Sequence, residues 1–290
     1  MCRFAFYLGE PIRISSLVTD PTNSIVHQSF HSREREEPLN GDGFGVAWYR
    51  PEVQAEPGLF CDISPAWNNP NLNSLAQVTL SPCILAHVRA ATPGLPVTRL
   101  NCHPFTQGRF SFMHNGRIGG FSRLSRPMQQ AMSDTAWADL HGSTDSEHLF
   151  AWFRDRFNRR REESPEEDTG SSMVAALRDA IHDHEELKRS LGVEEESKVN
   201  LVVTDGRTAV ASRYVSGGGS GSETLYYHSG SRYVCEDGVC RMVDAEPGDP
   251  AVIVASEPLS EDPGWEAVPV NHLVMVRGRQ AVAIAPLQPS

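Results

Sequence analysis

The sequence predicts a strand-rich α+β protein with helices packed outside its sheets. Two observations carry this. Short apolar or alternating segments, many bounded by Gly, Pro or Asn, recur at strand length through both halves of the chain. Helical periodicity is confined to two stretches near the middle. The strand candidates are Phe4 to Leu8, Phe44 to Tyr49, Ile84 to Val88 and Phe110 to His114, then Val199 to Thr204, Thr208 to Arg213, Thr224 to His228, Ala251 to Ala255, Leu273 to Arg277 and Ala281 to Ala285. The first helix candidate, Ser146 to Arg160, follows Thr144-Asp145 as cap and sets Leu149, Trp152 and Phe153 on one face. The second, Ser172 to Leu191, aligns Met173, Ala176, Leu177, Ala180 and Ile181. Arg159 to Ser171 reads as a charged, mobile bridge between them, and Ser216 to Ser222 as a flexible loop joining two strands.

Composition narrows the function classes. At 290 residues and 39% hydrophobic content the chain has ample core material for one large domain or two small ones. The net charge of −11 argues against non-specific nucleic-acid binding, and the acidic runs Glu162 to Asp168 and Glu194 to Glu196 read as solvated. No apolar run approaches the roughly 18 residues of a spanning helix, and the N-terminus has too short an apolar stretch for a signal peptide. The expectation is a cytoplasmic enzyme with neither nucleic-acid nor membrane partner. Cys235 and Cys240 bracket a turn and could face each other across a hairpin, but a cytosolic setting predicts free thiols there. Cys102-His103 lacks a second ligand pair at zinc spacing, so no metal is expected, and no cofactor either.

The chemistry starts at Met1-Cys2. A small second residue permits removal of the initiator Met, which leaves a thiol and a free α-amine on one residue. The thiolate is the nucleophile, and an amine titrating near pH ~8 can take its proton. Four further pieces follow: Arg89 and Thr92 at the end of an apolar strand, Asn101-Cys102-His103-Pro104-Phe105, Phe112-Met113-His114-Asn115-Gly116, and Gly142-Ser143-Thr144-Asp145-Ser146-Glu147. Asn40-Gly41-Asp42-Gly43-Phe44-Gly45 precedes them. Each has a plain alternative. Arg89 could pair with a carboxylate, Asn115-Gly116 could be a hairpin turn, and Asp145 could cap its helix.

Together, Cys2, Arg89-x-x-Thr92, His114-Asn115-Gly116 and Ser143-Thr144-Asp145 resemble the glutaminase domain of class II glutamine amidotransferases, which are N-terminal-nucleophile hydrolases. The tail, Val254-Ala255-Ser256-Glu257-Pro258-Leu259 with Trp265 and His272-Leu273-Val274, is similar to the stand-alone branch containing the γ-glutamyl hydrolase of ergothioneine biosynthesis and the fungal glutathione-degradation subunit. The resemblance implies one domain over residues 2–290, with two stacked antiparallel sheets between helices. It also implies Cys2, Asn115 and Gly116 as catalytic residues, and Arg89, Thr92, His114 and Asp145 as substrate-binding ones.

The residue types suit a γ-glutamyl amide. Arg89 can grip the α-carboxylate bidentately, and Asp145 the α-ammonium. The Asn115 amide and the Gly116 N–H can hold the oxyanion formed when Cys2 attacks. Where the amidotransferases commonly read Arg-Trp-Ala-Thr-His, this chain reads Arg89-Ala90-Ala91-Thr92-Pro93. Loss of the Trp implies a more open leaving-group side and argues against ammonia channelling. The leading expectation is a hydrolase releasing glutamate from a γ-glutamylcysteinyl conjugate or another γ-glutamyl peptide. The alternative is a glutaminase subunit feeding ammonia to a separate synthase, and a third reading is a non-catalytic γ-glutamyl sensor. A protein partner subunit or a homo-oligomer stays open.

Overall fold

The computed structural model describes residues 2–34, 39–92, 94, 96–218, 223–236, 238–243, 250–278 and 282–287. The chain opens with β1 (Arg3–Arg13), the short helices α1 (Ser15–Val18) and α2 (Ile25–Gln28), and the pair β2 (Phe44–Trp48) and β3 (Gly58–Asp62). Helix α3 (Pro70–Val78) follows, capped by the Asn69 side chain, and leads into β4 (Leu80–Val88). Next come β5 (Phe105–Gln107) and β6 (Phe110–Arg117), then α4 (Phe121–Gln130), α5 (Asp134–Ala138), α6 (Asp145–Glu163) and α7 (Thr169–Ser190). The rest is strand: β7 (Lys198–Thr204), β8 (Thr208–Arg213), β9 (Tyr226–Gly230), β10 (Arg232–Glu236), β11 (Val239–Val243), β12 (Ala251–Ala255), β13 (Glu266–Ala267), β14 (His272–Arg277) and β15 (Ala283–Pro286).

A 7-stranded sheet runs β13-β9-β12-β1-β4-β2-β3, and a 6-stranded sheet runs β15-β14-β8-β7-β6-β5. Their strands pair antiparallel. Successive side chains on a strand face opposite ways, so each strand splits between two layers. Phe4, Phe6 and Leu8 of β1 and Leu85 of β4 meet Met113 of β6, Val202 of β7 and Ala211 of β8 between the sheets. Ala5, Tyr7, Ile84 and Ala86 face outward onto Ile14, Leu17, Ile25 and Leu72 from the first three helices and their flanks. On the far side, Phe110, Phe112 and Leu201 pack against Leu149, Trp152 and Phe153 of α6 and Met173, Leu177 and Ile181 of α7. The result is helices, sheet, sheet, helices, which is the layering expected from the sequence.

Several expectations need correction. The chain does not turn at Asn115-Gly116, because β6 continues to Arg117 with Asn115 opposite Asn200 and Gly116 opposite Val199. The charged bridge is mostly helix: α6 reaches Glu163 and α7 starts at Thr169 under an Asp168 cap. The five residues between are pinned by Glu167, which accepts from Arg160 Nε at 3.1 Å and Ser172 Oγ at 2.8 Å. Charge there serves ion pairing and capping rather than solvation. Ser216–Gly218 forms a 3₁₀ turn whose buried Ser216 Oγ accepts from Ser197 N–H at 2.9 Å, while 219–222 lie outside the described residues. Cys235 and Cys240 are opposed in the β10–β11 pair and form a disulfide, against the expectation of free thiols. Their Cα atoms are 4.1 Å apart, so hairpin register alone brings the sulfurs together. Helix α4 escaped the sequence reading although Phe121, Leu124 and Met128 share a face, because Pro127 interrupts it.

Candidate active site

The same alternation that builds the inter-sheet core also delivers the candidate residues. Cys2 is two positions before Phe4, His87 and Arg89 are two and four beyond Leu85, and Asn115 is two beyond Met113. Asn200 likewise precedes Val202. All of them therefore point into the layer between the sheets at one end. His114, out of phase with Asn115, points to the helical side, where its Nδ1 lies 2.9 Å from Ser146 Oγ at the start of α6.

Cys2 is half-buried, and its Sγ donates to the Ala90 carbonyl at 3.6 Å. Burial pushes the thiol up, the Ala90 contact and the charges of Arg89 and Arg3 pull it down, and Asp145 pushes it up again. Arg89 shares that end of the layer, and Arg3 reaches the Cys2 carbonyl through Nη1 at 3.1 Å. Met1 lies outside the described residues. Arg89 is 3% exposed, and among the described residues its side chain makes one long contact, to the Asp42 carbonyl at 3.5 Å. Asp42 also braces the loop, since its Oδ2 accepts from Ala91 N–H at 2.8 Å. Asp145, the first residue of α6 after the Thr144 cap, accepts from Ile118 N–H at 2.7 Å through Oδ2 and from Ser146 N–H at 2.8 Å through Oδ1. Its carboxylate thus lies just past the end of β6. Thr92 is exposed, and among the described residues no side-chain hydrogen bond ties it to the others.

Asn115 is fully buried, yet neither Nδ2 nor Oδ1 has a hydrogen-bond partner among the described residues. Such atoms are uncommon in folded proteins and cost about 1–3 kcal/mol each when left unpaired. Gly116 is just as specific. Val199 gives its N–H to Tyr214 at 2.9 Å, so the Gly116–Val199 pair is a non-hydrogen-bonded one and the Gly116 N–H points away from β7. On that other side β5 pairs no further along β6 than Phe112, leaving the edge open. A Cβ at Gly116 would sit 2.0 Å from the Lys198 carbonyl oxygen, which excludes any side chain. Asn115 and Gly116 thus offer two donors at the Cys2 end of the layer.

Sequence reasoning missed several neighbours. His87 Nε2 lies 3.3 Å from the His114 carbonyl, and its ring stacks on His103 at 4.3 Å. Burial lowers His87 to about 3 and depresses His103 and His114, so all three are neutral near pH 7. His114 Nε2 lies 3.0 Å from the Lys198 carbonyl, so it acts as a brace between β6 and β7. Arg3 and Glu257 form a buried ion pair at 2.6 Å. Only the unusual charge at β1's start and the Ser256-Glu257-Pro258 motif hinted at that pair. A cavity of about 410 Å³ lined by Cys61, Arg99, Cys102, Phe105, Phe150 and Arg154 contains none of Cys2, Arg89, Asn115 or Asp145, and is not this site. Among the described residues no cluster of His, Cys, Asp and Glu could hold a metal, and no helix is long and apolar enough to cross a membrane.

Known proteins share the sequence and the fold. Residues 15–289 match the family of class-II glutamine amidotransferases. The probable glutamine amidotransferase DUG3 of Saccharomyces cerevisiae is 38% identical over 99% of this chain and 84% of its own. The γ-glutamyl-hercynylcysteine sulfoxide hydrolase of Mycobacterium tuberculosis is 27% identical over 95% of this chain and 93% of its own. A glutamine aminotransferase class-II domain protein from Silicibacter pomeroyi superposes with a TM-score of 0.68 at 28% identity, covering 99% and 100% of the two chains. The phosphoribosylpyrophosphate amidotransferase of B. subtilis, at 12% identity and a TM-score of 0.58, shares the fold over 50% of its length. The family match over most of the chain and the 38% relative show that the chain belongs to the class II glutamine amidotransferases.

Proposed function

We propose that the protein is an N-terminal-cysteine amidohydrolase that cleaves a γ-glutamyl amide and releases glutamate, with residues 2–290 acting as one cytoplasmic domain. The observation that carries this is the fully buried Asn115 amide, unpaired among the described residues, at the same end of the inter-sheet layer as Cys2 and Arg89. An amide so placed is a preorganised donor awaiting a developing oxyanion.

Arg89 pairs with the substrate α-carboxylate and Asp145 with its α-ammonium, which turns the side-chain amide carbon toward Cys2. Thr92 joins this set from the loop, whereas the His114 ring faces the helical side and supports the set by bracing β6 against β7 rather than by touching substrate. Once Met1 is removed, the Cys2 α-amine takes the thiol proton and the sulfur attacks. The oxyanion settles on Asn115 Nδ2 and Gly116 N–H. It then collapses to a γ-glutamyl thioester as the leaving amine takes the proton. Water, deprotonated by the same amine, releases glutamate. Burial pushes the thiol up, so the proton transfer is needed at neutral pH.

The substrate we favour is a γ-glutamylcysteinyl conjugate or another γ-glutamyl peptide. Half-buried Ala90 and Ala91 with exposed Thr92 leave the leaving-group side open, and a relative at 27% identity is named for hydrolysing such a conjugate. The name of the 38% relative favours a second reading, a glutaminase subunit that donates ammonia to a partner. Glutamate release by the Met-trimmed protein from glutamine, glutathione, γ-glutamylcysteine and the γ-glutamylcysteinyl histidine-betaine conjugate separates the two. Rapid release from a peptide with glutamine ignored supports the hydrolase. Slow release from glutamine alone supports the subunit.

A further inference from the structure

Arg3 and Glu257 are charged, yet they are 2% and 0% exposed. Arg3 is out of phase with Cys2 along β1, so its side chain leaves on the opposite face of the sheet. There it uses all three guanidinium nitrogens. Nε donates to Glu257 Oε1 at 2.6 Å, Nη2 to Ser32 Oγ at 3.1 Å, and Nη1 back to the Cys2 carbonyl at 3.1 Å. Glu257 is equally saturated, taking Arg3 and the Ser32 hydroxyl on Oε1 and the Arg33 N–H on Oε2 at 2.9 Å. Next to it, Ser256 exchanges hydrogen bonds with both backbone groups of Phe4: Phe4 N–H donates to Ser256 Oγ at 3.1 Å, and Ser256 N–H to the Phe4 carbonyl at 3.0 Å. Burying an ion pair is at best a weak source of stability, because desolvation offsets the attraction, and an apolar pair commonly does as well. The contact that an apolar pair cannot supply is the one to the Cys2 carbonyl. A terminal residue is tethered on one side only, so without that hold its thiol and amine are free to swing.

We propose that Arg3 and Glu257 are positioning residues for the nucleophile: Glu257 fixes the Arg3 guanidinium, and Arg3 fixes the Cys2 carbonyl so that sulfur and amine face the substrate. This rests on the reading of Cys2 as the N-terminal nucleophile. Lys cannot substitute for Arg3, because one ammonium cannot reach three acceptors in the plane of a guanidinium. The pair also sets charge beside the nucleophile. Among the described residues, the other charged or titratable groups around Cys2 are Arg89 from the end of β4, Asp145 from the start of α6, Cys102 from the segment before β5, and the neutral rings of His87 and His103 at the same end of the layer. The charge of Arg3 already acts on the sulfur alongside those of Arg89 and Asp145, and removing either member of the pair changes that balance.

The test uses the full-length protein with Met1 loss verified by intact mass in every variant. Four variants are compared with wild type: Arg3→Lys, Arg3→Met, Glu257→Gln, and the double Arg3→Met/Glu257→Met. Glutamate release is followed as kcat, KM and the pH profile of kcat/KM. Misplacing a reacting group by about 1 Å can lower rate 10²-fold, so kcat should fall roughly 10²-fold in each variant with KM within a few fold. Glu257→Gln leaves a bare cation and should move the acid limb to lower pH. Arg3→Met leaves a bare carboxylate and should move it to higher pH. Loss of folding does not produce opposite shifts. The double variant should melt at or above the wild-type temperature while kcat stays low, which separates positioning from stability. Wild-type kcat in the double variant or in Arg3→Lys, or limbs that move the same way in both single variants, overturns the proposal. Cys2→Ala run alongside keeps the two ideas apart. Full activity there defeats the nucleophile reading, whereas a dead Cys2→Ala with a fully active double variant defeats only the positioning role.

Discussion

The inter-sheet layer has a polar group at each end of the same three strands, and the two ends are built differently. On β4 the inward residues run Ser81, Cys83, Leu85, His87, with Arg89 just past the strand, on β6 Ser111, Met113, Asn115, and on β7 Thr204, Val202, Asn200. At the far end the polar side chains of the described residues are paired. Tyr49 OH meets the Arg109 carbonyl at 2.9 Å and Ser111 Oγ at 2.8 Å, Ser81 Oγ donates to the Tyr49 carbonyl at 2.9 Å, and Thr204 Oγ1 to the Thr208 carbonyl at 2.7 Å. At the Cys2 end, both side-chain atoms of Asn115, Oδ1 of Asn200, Nδ1 of His87 and both ring nitrogens of His103 have no partner among the described residues. Saturated polar groups rigidify a core, and unsaturated ones destabilise it until something completes them. One end of the layer is architecture, and the other is the end we propose receives the substrate.

Substitutions break this contrast in a graded way. The largest effect belongs to Cys2→Ala, which should abolish turnover while glutamate still binds, as judged by calorimetry. Asn115→Ala should lower kcat by about 10²–10³, roughly 3–4 kcal/mol of transition-state stabilisation, with no loss of melting temperature because no native partner is lost. A drop in melting temperature with kcat intact would make Asn115 structural instead. Asp145→Asn should raise KM by roughly 10- to 100-fold, the range for losing a charged hydrogen bond, while the protein stays folded.

The next effect is in stability and pH. Burial holds His87 and His184 at about 3, far below the ~6.5 of an exposed imidazole. Between those values the unfolded chain binds protons that the folded one does not. Stability present above pH ~6.5 is therefore lost as pH falls, by about 1.4 kcal/mol per pH unit for each group. Chemical denaturation from pH 7 to 4 should show this slope, and His184→Gln, remote from Cys2 on α7, should remove one share of it. The smallest effect is Tyr49→Phe, which strips the saturated end. It should cost about 1–3 kcal/mol of stability and leave kcat unchanged.

The strands were legible because alternation is a local signal. Thr208 to Arg213 and Ala251 to Ala255 coincide with β8 and β12, and the paired sheets follow from them. The edge strands β3 and β5 were not legible, being short and only partly apolar. The resemblance supplied the candidate site residues but not their geometry. Nothing local to Asn115-Gly116 distinguishes a turn from a strand whose partner β5 has already ended. Likewise, Arg3 and Glu257 lie 254 residues apart, and their pairing exists only once β12 has docked on β1. The same holds for His87 and His103, which stack only because β4 and the segment before β5 converge.

The most direct test of the account is a rapid-quench experiment on the Met-trimmed protein turning over a γ-glutamyl peptide, with the N-terminal fragment examined by mass spectrometry. The account predicts one γ-glutamyl group carried on the Cys2 sulfur, removable by hydroxylamine and absent in Cys2→Ala. Turnover with Met1 still attached, or a γ-glutamyl adduct on any other residue, would contradict it.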